Sequence, residues 1–144
     1  MNIRAIDYIT EDFYESLSFQ DGELPDLETV KSLFHDDGLL INNSFARPMS
    51  FTVESYTQNI ETQIADGTLK QFMQRELYSQ TEAFAKVARR VSVYEYSLTD
   101  QITGKHPRGI NYIQFILIDD TWKIASMAWA DENENHQIPE EYLG

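Results

Sequence analysis

Near Thr68 the spacing of apolar residues changes from three-and-four to two, and this switch restricts the chain to a plan of helices followed by strands. Ile6, Ile9, Phe13 and Leu17 form one helical stripe, which Gly22 and Pro25 end. Asp26 can cap a second helix whose buried side is Leu27, Val30, Leu33 and Phe34, and Asp36-Asp37-Gly38 closes it. Residues 39–42 follow as a short strand. Ser50 or Thr52 can cap a third helix, with Glu54 in its first turn and Val53, Tyr56, Ile60 and Ile64 as its stripe. Gly67 supplies the left-handed residue that ends it.

Beyond Thr68 the alternation predicts a run of antiparallel strands. Met73, Arg75 and Leu77 alternate with Phe72, Gln74, Glu76 and Tyr78, and Val91, Val93 and Glu95 with Ser92, Tyr94 and Tyr96. Ile113, Phe115 and Leu117 alternate with Tyr112, Gln114 and Ile116, and 122–130 is the last strand, after an Asp119-Asp120 turn. Turns placed there, near Phe84 and symmetrically within 99–107, set an expected register. It puts Arg75 opposite Val93, Glu76 opposite Ser92, Glu95 opposite Asn111 and Tyr94 opposite Tyr112. It also puts Asn111 opposite Ala128, Ile113 opposite Ser126 and Arg108 opposite Asp131. One face then holds Met73, Leu77, Val91, Val93, Ile113, Phe115, Leu117 and Ile124, with Arg75, Glu95, Asn111 and Ser126 among them. The other holds Glu76, Ser92, Tyr94, Tyr96, Tyr112, Gln114, Met127 and Trp129. The first is the more apolar and is expected under the helices.

The 144 residues are expected to form one domain, 1–144, because 42% are apolar and 12% aromatic, enough for a core. The absence of Cys excludes disulfides and thiolate zinc sites. Eleven basic residues scattered among 24 acidic ones, for a net charge of −13, argue against nucleic acid and anionic membrane surfaces as partners. Asp7, Glu11 and Asp12 interrupt the only N-terminal stretch that could serve as a signal peptide, so a cytoplasmic location is expected. No phosphate loop, serine elbow or metal-ligand spacing is present in the sequence, and no cofactor or metal is expected. His35 reads as a helix-end residue, His106 as a loop residue and His136 as a tail residue.

Three segments resemble a known family: 108–114 (Arg-Gly-Ile-Asn-Tyr-Ile-Gln), 122–129 (Trp-Lys-Ile-Ala-Ser-Met-Ala-Trp) and Asp131-Glu132. They are similar to the final hairpin of a bacterial branch of the nuclear transport factor 2-like (SnoaL-like, cystatin-like) superfamily. Arg75-Glu76, 92–95 and the ending 138–143 are similar to other parts of it, and the order of elements matches over nearly the whole chain. The resemblance implies an α+β cone, a curved mixed or antiparallel sheet wrapped around N-terminal helices, with a pocket inside and a sheet-mediated homodimer. Activity does not follow from it, because the fold carries isomerases, cyclases, hydratases, hydrolases and binding modules. The isomerases use a carboxylate base with an oxyanion pair of Tyr and protonated Asp. Tyr8 and Tyr14 lie on the first helix here, but no Asp on the inward face completes that set.

The candidate site is therefore a polar floor in an apolar pocket: Arg75, Glu95, Asn111 and Ser126, with hydroxyls from Tyr14 and Tyr56. The competing reading is a buried network that only satisfies its own groups. Glu95 is the candidate catalytic base. Close to Arg75 its pKa falls; out of reach of Arg75, burial raises it toward the useful range. Tyr94, Tyr96, Tyr112, Gln114, Met127 and Trp129 form the expected dimer surface. Two functions follow: binding of a small, largely apolar molecule with weak acid–base chemistry, or a non-catalytic association module. The second expects a cavity filled by Phe13, Phe51 and Phe115.

Overall fold

The computed structural model describes residues 3–98 and 106–143, so much of the expected loop 99–107 lies outside the described residues. Helix α1 (Ile3–Leu17) follows the predicted stripe, with Ile6, Phe13, Tyr14 and Leu17 buried. Helix α2 (Leu27–Ser32) is capped by Asp26, whose carboxylate accepts from the Thr29 N–H at 3.1 Å. Helix α3 (Val53–Ala65) starts at Thr52 in a reciprocal capping box with Ser55. Six strands follow one order in space: β2 (Met49–Thr52), β1 (Phe34–Asn42), β6 (Thr121–Asp131), β5 (Arg108–Ile118), β4 (Val87–Ser97), β3 (Met73–Phe84). The β1–β6 pair is parallel and the other pairs antiparallel, so the curved, unclosed sheet is mixed, as expected of the cone.

Strand β1 begins five residues before its expected start at 39, and the Asp36-Asp37-Gly38 turn is absorbed into it. Its register against β6 shifts between Phe34 and Leu39. Gly38 makes this fit: a Cβ there would lie 3.0 Å from both the Phe34 ring and the His35 carbonyl, and 3.1 Å from Val53. Parallel pairing thus overrides local turn chemistry, and His35 becomes a strand residue, 3.8 Å from Asp37.

The expected register is corrected in three places. Glu95 pairs with Arg108, not Asn111, a slip of an odd number of positions that turns the inward face of β4 from odd to even residues. A bulge between Gln114 and Phe115 across from Ala125 makes Asn111 face Trp129 and Ile113 face Met127, rather than Ala128 and Ser126. A bulge at Leu77 changes the parity of β3, so Arg75 pairs with Glu95 while Ser79 pairs with Ser92. Only the Asp119-Asp120 turn sits where expected, with φ of 48° and 64°, the paired left-handed residues of a tight hairpin.

The inward face therefore carries Glu76, Arg90, Ser92, Tyr94 and Tyr96 beside Asn111, Ile113, Phe115, Met127 and Trp129. Ile113, Phe115, Ile124, Met127 and Leu40 form the fully buried floor on which α1 rests. The outward face carries Arg75, Val93, Glu95, Tyr112, Gln114 and Ser126. Part of it is covered by the C-terminal segment: Tyr142 stacks on Tyr78, the cross-strand partner of Val93, and Ile138 is buried. Among the described residues no helix is long and apolar enough to cross a membrane.

Candidate functional site

Between the helices and the inward face lies a cavity of about 440 Å³. Helix α1 contributes Phe13, Tyr14 and Leu17, and α3 contributes Tyr56, Asn59, Ile60 and Gln63. The sheet contributes Asn42, Phe51, Gln74, Tyr94, Tyr96, Asn111, Met127, Trp129 and Asp131. Exposed Phe45, Met49 and Leu98 rim it. Phe19 and Phe72 close another side, held by reciprocal backbone hydrogen bonds of 2.8 and 2.9 Å. The cavity is not filled by Phe13, Phe51 and Phe115.

Its aromatic wall has two parts. Phe51, Tyr56 and Trp129 meet edge to face, with centroids 5.6 and 6.1 Å apart. Phe72, Tyr96 and Tyr94 run along the other side at 5.8 and 6.3 Å. Such rings present negative faces as well as apolar area.

The inner end is a directed hydrogen-bond chain. Arg90, only 4% exposed, holds Glu76 with two nitrogens and reaches Asp7 on α1 at 2.6 Å and Thr81 at 2.9 Å. Burial disfavours its charge, but the two carboxylates outweigh this and hold its pKa above the usual value. Ser92 donates its single hydroxyl proton to Glu76. The 2.7 Å contact between Tyr14 and Ser92 therefore has Tyr14 as donor. The Tyr14 oxygen can then only accept. Asn111 Nδ2 also lies 3.5 Å from the Met127 sulfur. Asn111 Oδ1 is left buried with no partner among the described residues.

The second polar feature is Asp131, at the end of β6. Tyr94, Gly109 and Asp131 form one cross-strand row on β4, β5 and β6. A Cβ on Gly109 would collide with the Tyr94 hydroxyl and come within 2.5 Å of the Ala130 carbonyl. The missing side chain lets Tyr94 reach across the middle strand and donate to Asp131 Oδ1 at 2.6 Å; Tyr96 donates to Oδ2 at 3.0 Å. Burial is the main cause raising both tyrosines, with the Asp131 carboxylate adding to it, and Tyr96 reaches about 12. Tyr14 is also pushed up to about 12 by burial, and burial raises Tyr56. All four are phenols near neutrality.

Of the residues singled out from sequence, Tyr14, Tyr56 and Asn111 line the cavity. Arg75, Glu95 and Ser126 do not. Arg75 and Glu95 form an ion pair of 2.6 Å on the outward face, and Ser126 donates to Gln114 there at 3.0 Å. The expected dimer surface is divided: Tyr94, Tyr96, Met127 and Trp129 line the cavity, while Tyr112 and Gln114 face outward. Sequence reasoning assigned Asp131 to a solvated charge run and to Arg108; Arg108 instead pairs with Glu132 at 3.0 Å. A signal for Asp131 was present, because Gly109 opposite an aromatic marks a place where a large side chain crosses a strand. Among the described residues no three His, Asp or Glu side chains gather as metal ligands.

No family model matches the chain, and no curated protein matches it. Solved structures do. A protein of unknown function with a cystatin-like fold from Nostoc punctiforme superposes with a TM-score of 0.70 at 16% identity, over 91% of each chain. A nuclear transport factor 2-like protein of unknown function from Pseudomonas putida gives 0.71 at 11% identity, over 94% of this chain and 92% of that one. A Xanthomonas campestris protein named for the calcium/calmodulin dependent protein kinase II association domain gives 0.66 at 16%, over 91% and 88%. These likenesses establish the nuclear transport factor 2-like, cystatin-like fold, as the resemblance in sequence implied.

Gly109→Ala is expected to displace Tyr94 from Asp131 and to cost about 1–3 kcal/mol, read as a lower denaturant midpoint at unchanged slope. Stability is also expected to fall with alkali. The raised tyrosines keep their protons in the folded state, so their contribution is intact below pH about 10, the unfolded value, and is lost as pH rises toward about 12, where Tyr14 and Tyr96 titrate in the folded state. Tyrosinate absorbance from Tyr14, Tyr56, Tyr94 and Tyr96 should appear only together with the loss of circular dichroism; its appearance in a fully folded protein near pH about 10 contradicts this.

Proposed function

We propose that this chain, built on the nuclear transport factor 2-like fold, binds a small, largely apolar molecule in the cone cavity. The observation that carries the reading is a cavity of about 440 Å³ with an aromatic wall and few polar groups, the Asp131 carboxylate among them. Cavities of several hundred Å³ with few convergent polar groups are the usual form of small-molecule sites. The proton acceptor available to bound molecules is Asp131 rather than Glu95. Each of its oxygens already receives a tyrosine proton, so this arrangement suits holding a polar group better than removing a proton.

A second reading, association through the outward face, draws on one observation. Val91, Tyr112 and Ala128 form a cross-strand row there, and Tyr112 is 57% exposed although it sits on a central strand. The Xanthomonas neighbour carries the name of an association domain on the same fold. A homodimer would cover this row.

Naphthalene, an uncharged probe, is expected to raise the unfolding temperature and to change the emission of Trp129; at 100 times its Kd it should add about 2.7 kcal/mol. Ile60→Trp, which fills the cavity from α3, is expected to abolish both effects in a folded protein, and retained binding would place the probe elsewhere. For the second reading, Tyr112→Glu should convert dimer to monomer in light scattering; an unchanged mass removes Tyr112 from any interface.

A further inference from the structure

The proton accounting of the cavity says more about the ligand than its size does. The Tyr14 proton is committed to Ser92, and those of Tyr94 and Tyr96 to Asp131. What remains for a ligand is the acceptor capacity of the Asp131 carboxylate, with the Tyr56 hydroxyl elsewhere on the wall.

The charge pattern agrees. Among the described lining residues there is no Lys, Arg or His, and Asp131 is the one formal charge. The rings of Trp129, Tyr94 and Tyr96 stand next to it. An aromatic wall around a carboxylate favours a cation and repels an anion. The net charge of −13 draws cations toward the protein and slows the approach of anions.

We propose that the cavity selects an organic amine, with an ammonium head on Asp131 and an apolar body between the aromatic walls. This rests on the reading of the cavity as a ligand site and names the class of ligand.

The test compares three probes of one shape by calorimetry at neutral pH: naphthylmethylamine, naphthylmethanol and naphthoate. The amine is expected to bind at least about tenfold more tightly than the alcohol, the usual advantage of a charged hydrogen bond, and naphthoate to bind most weakly. Asp131→Asn should remove the advantage of the amine while leaving the affinity for the alcohol. If that variant does not fold, Tyr96→Phe serves instead, because it frees one carboxylate oxygen and should strengthen the amine severalfold, and by more than it strengthens the alcohol. Equal binding of the amine and the alcohol, or preference for naphthoate, overturns the amine assignment and leaves the cavity a ligand site. No binding by any of the three, or by naphthalene, overturns both.

Discussion

The buried guanidinium of Arg90 fixes the relation between the first helix and the sheet. It joins Asp7 on α1 to Glu76 on β3 from a position on β4 that water barely reaches. A buried ion pair adds little net stability over an apolar pair of the same size, but losing one partner strands a charge, so such a pair defines a geometry strictly. Here the geometry it defines is the depth of Tyr14. The next links, Ser92 and then Tyr14, inherit their proton directions from the Glu76 carboxylate.

Strand parity decides what else faces inward. Two bulges, at Leu77 and across from Ala125, and an odd offset between β4 and β5 each exchange faces locally. Their combined effect brings the tyrosines of β4 under the helices together with the odd residues of β5. The same offsets bring Arg75, Glu95 and Ser126 to the outward face, where the first two pair with each other. A charged pair on that face and an aromatic wall on the other are thus two results of one register. Gly109 completes the wall by leaving its place to the Tyr94 ring.

Among its described lining residues the cavity carries one carboxylate, which accepts two phenolic protons. That arrangement keeps Asp131 oriented without a cationic partner among the described lining residues, an unusual state for a partly buried charge.

The amino-acid sequence by itself determined the fold class, the three helices, the strand-rich second half, the Asp119-Asp120 turn and the inward placement of Tyr14, Tyr56 and Asn111. These follow from periodicity, capping residues and turn chemistry, which act over a few residues and can be read locally. The inward face of β4, the exclusion of Glu95 and the role of Asp131 were decided only by tertiary structure. Register between strands depends on loop lengths and bulges, and one extra residue reverses every side chain beyond it while leaving the hydrophobic pattern of each strand intact. Alternation reveals that a strand has two faces; packing against α1 and α3 selects the one that lines the cavity.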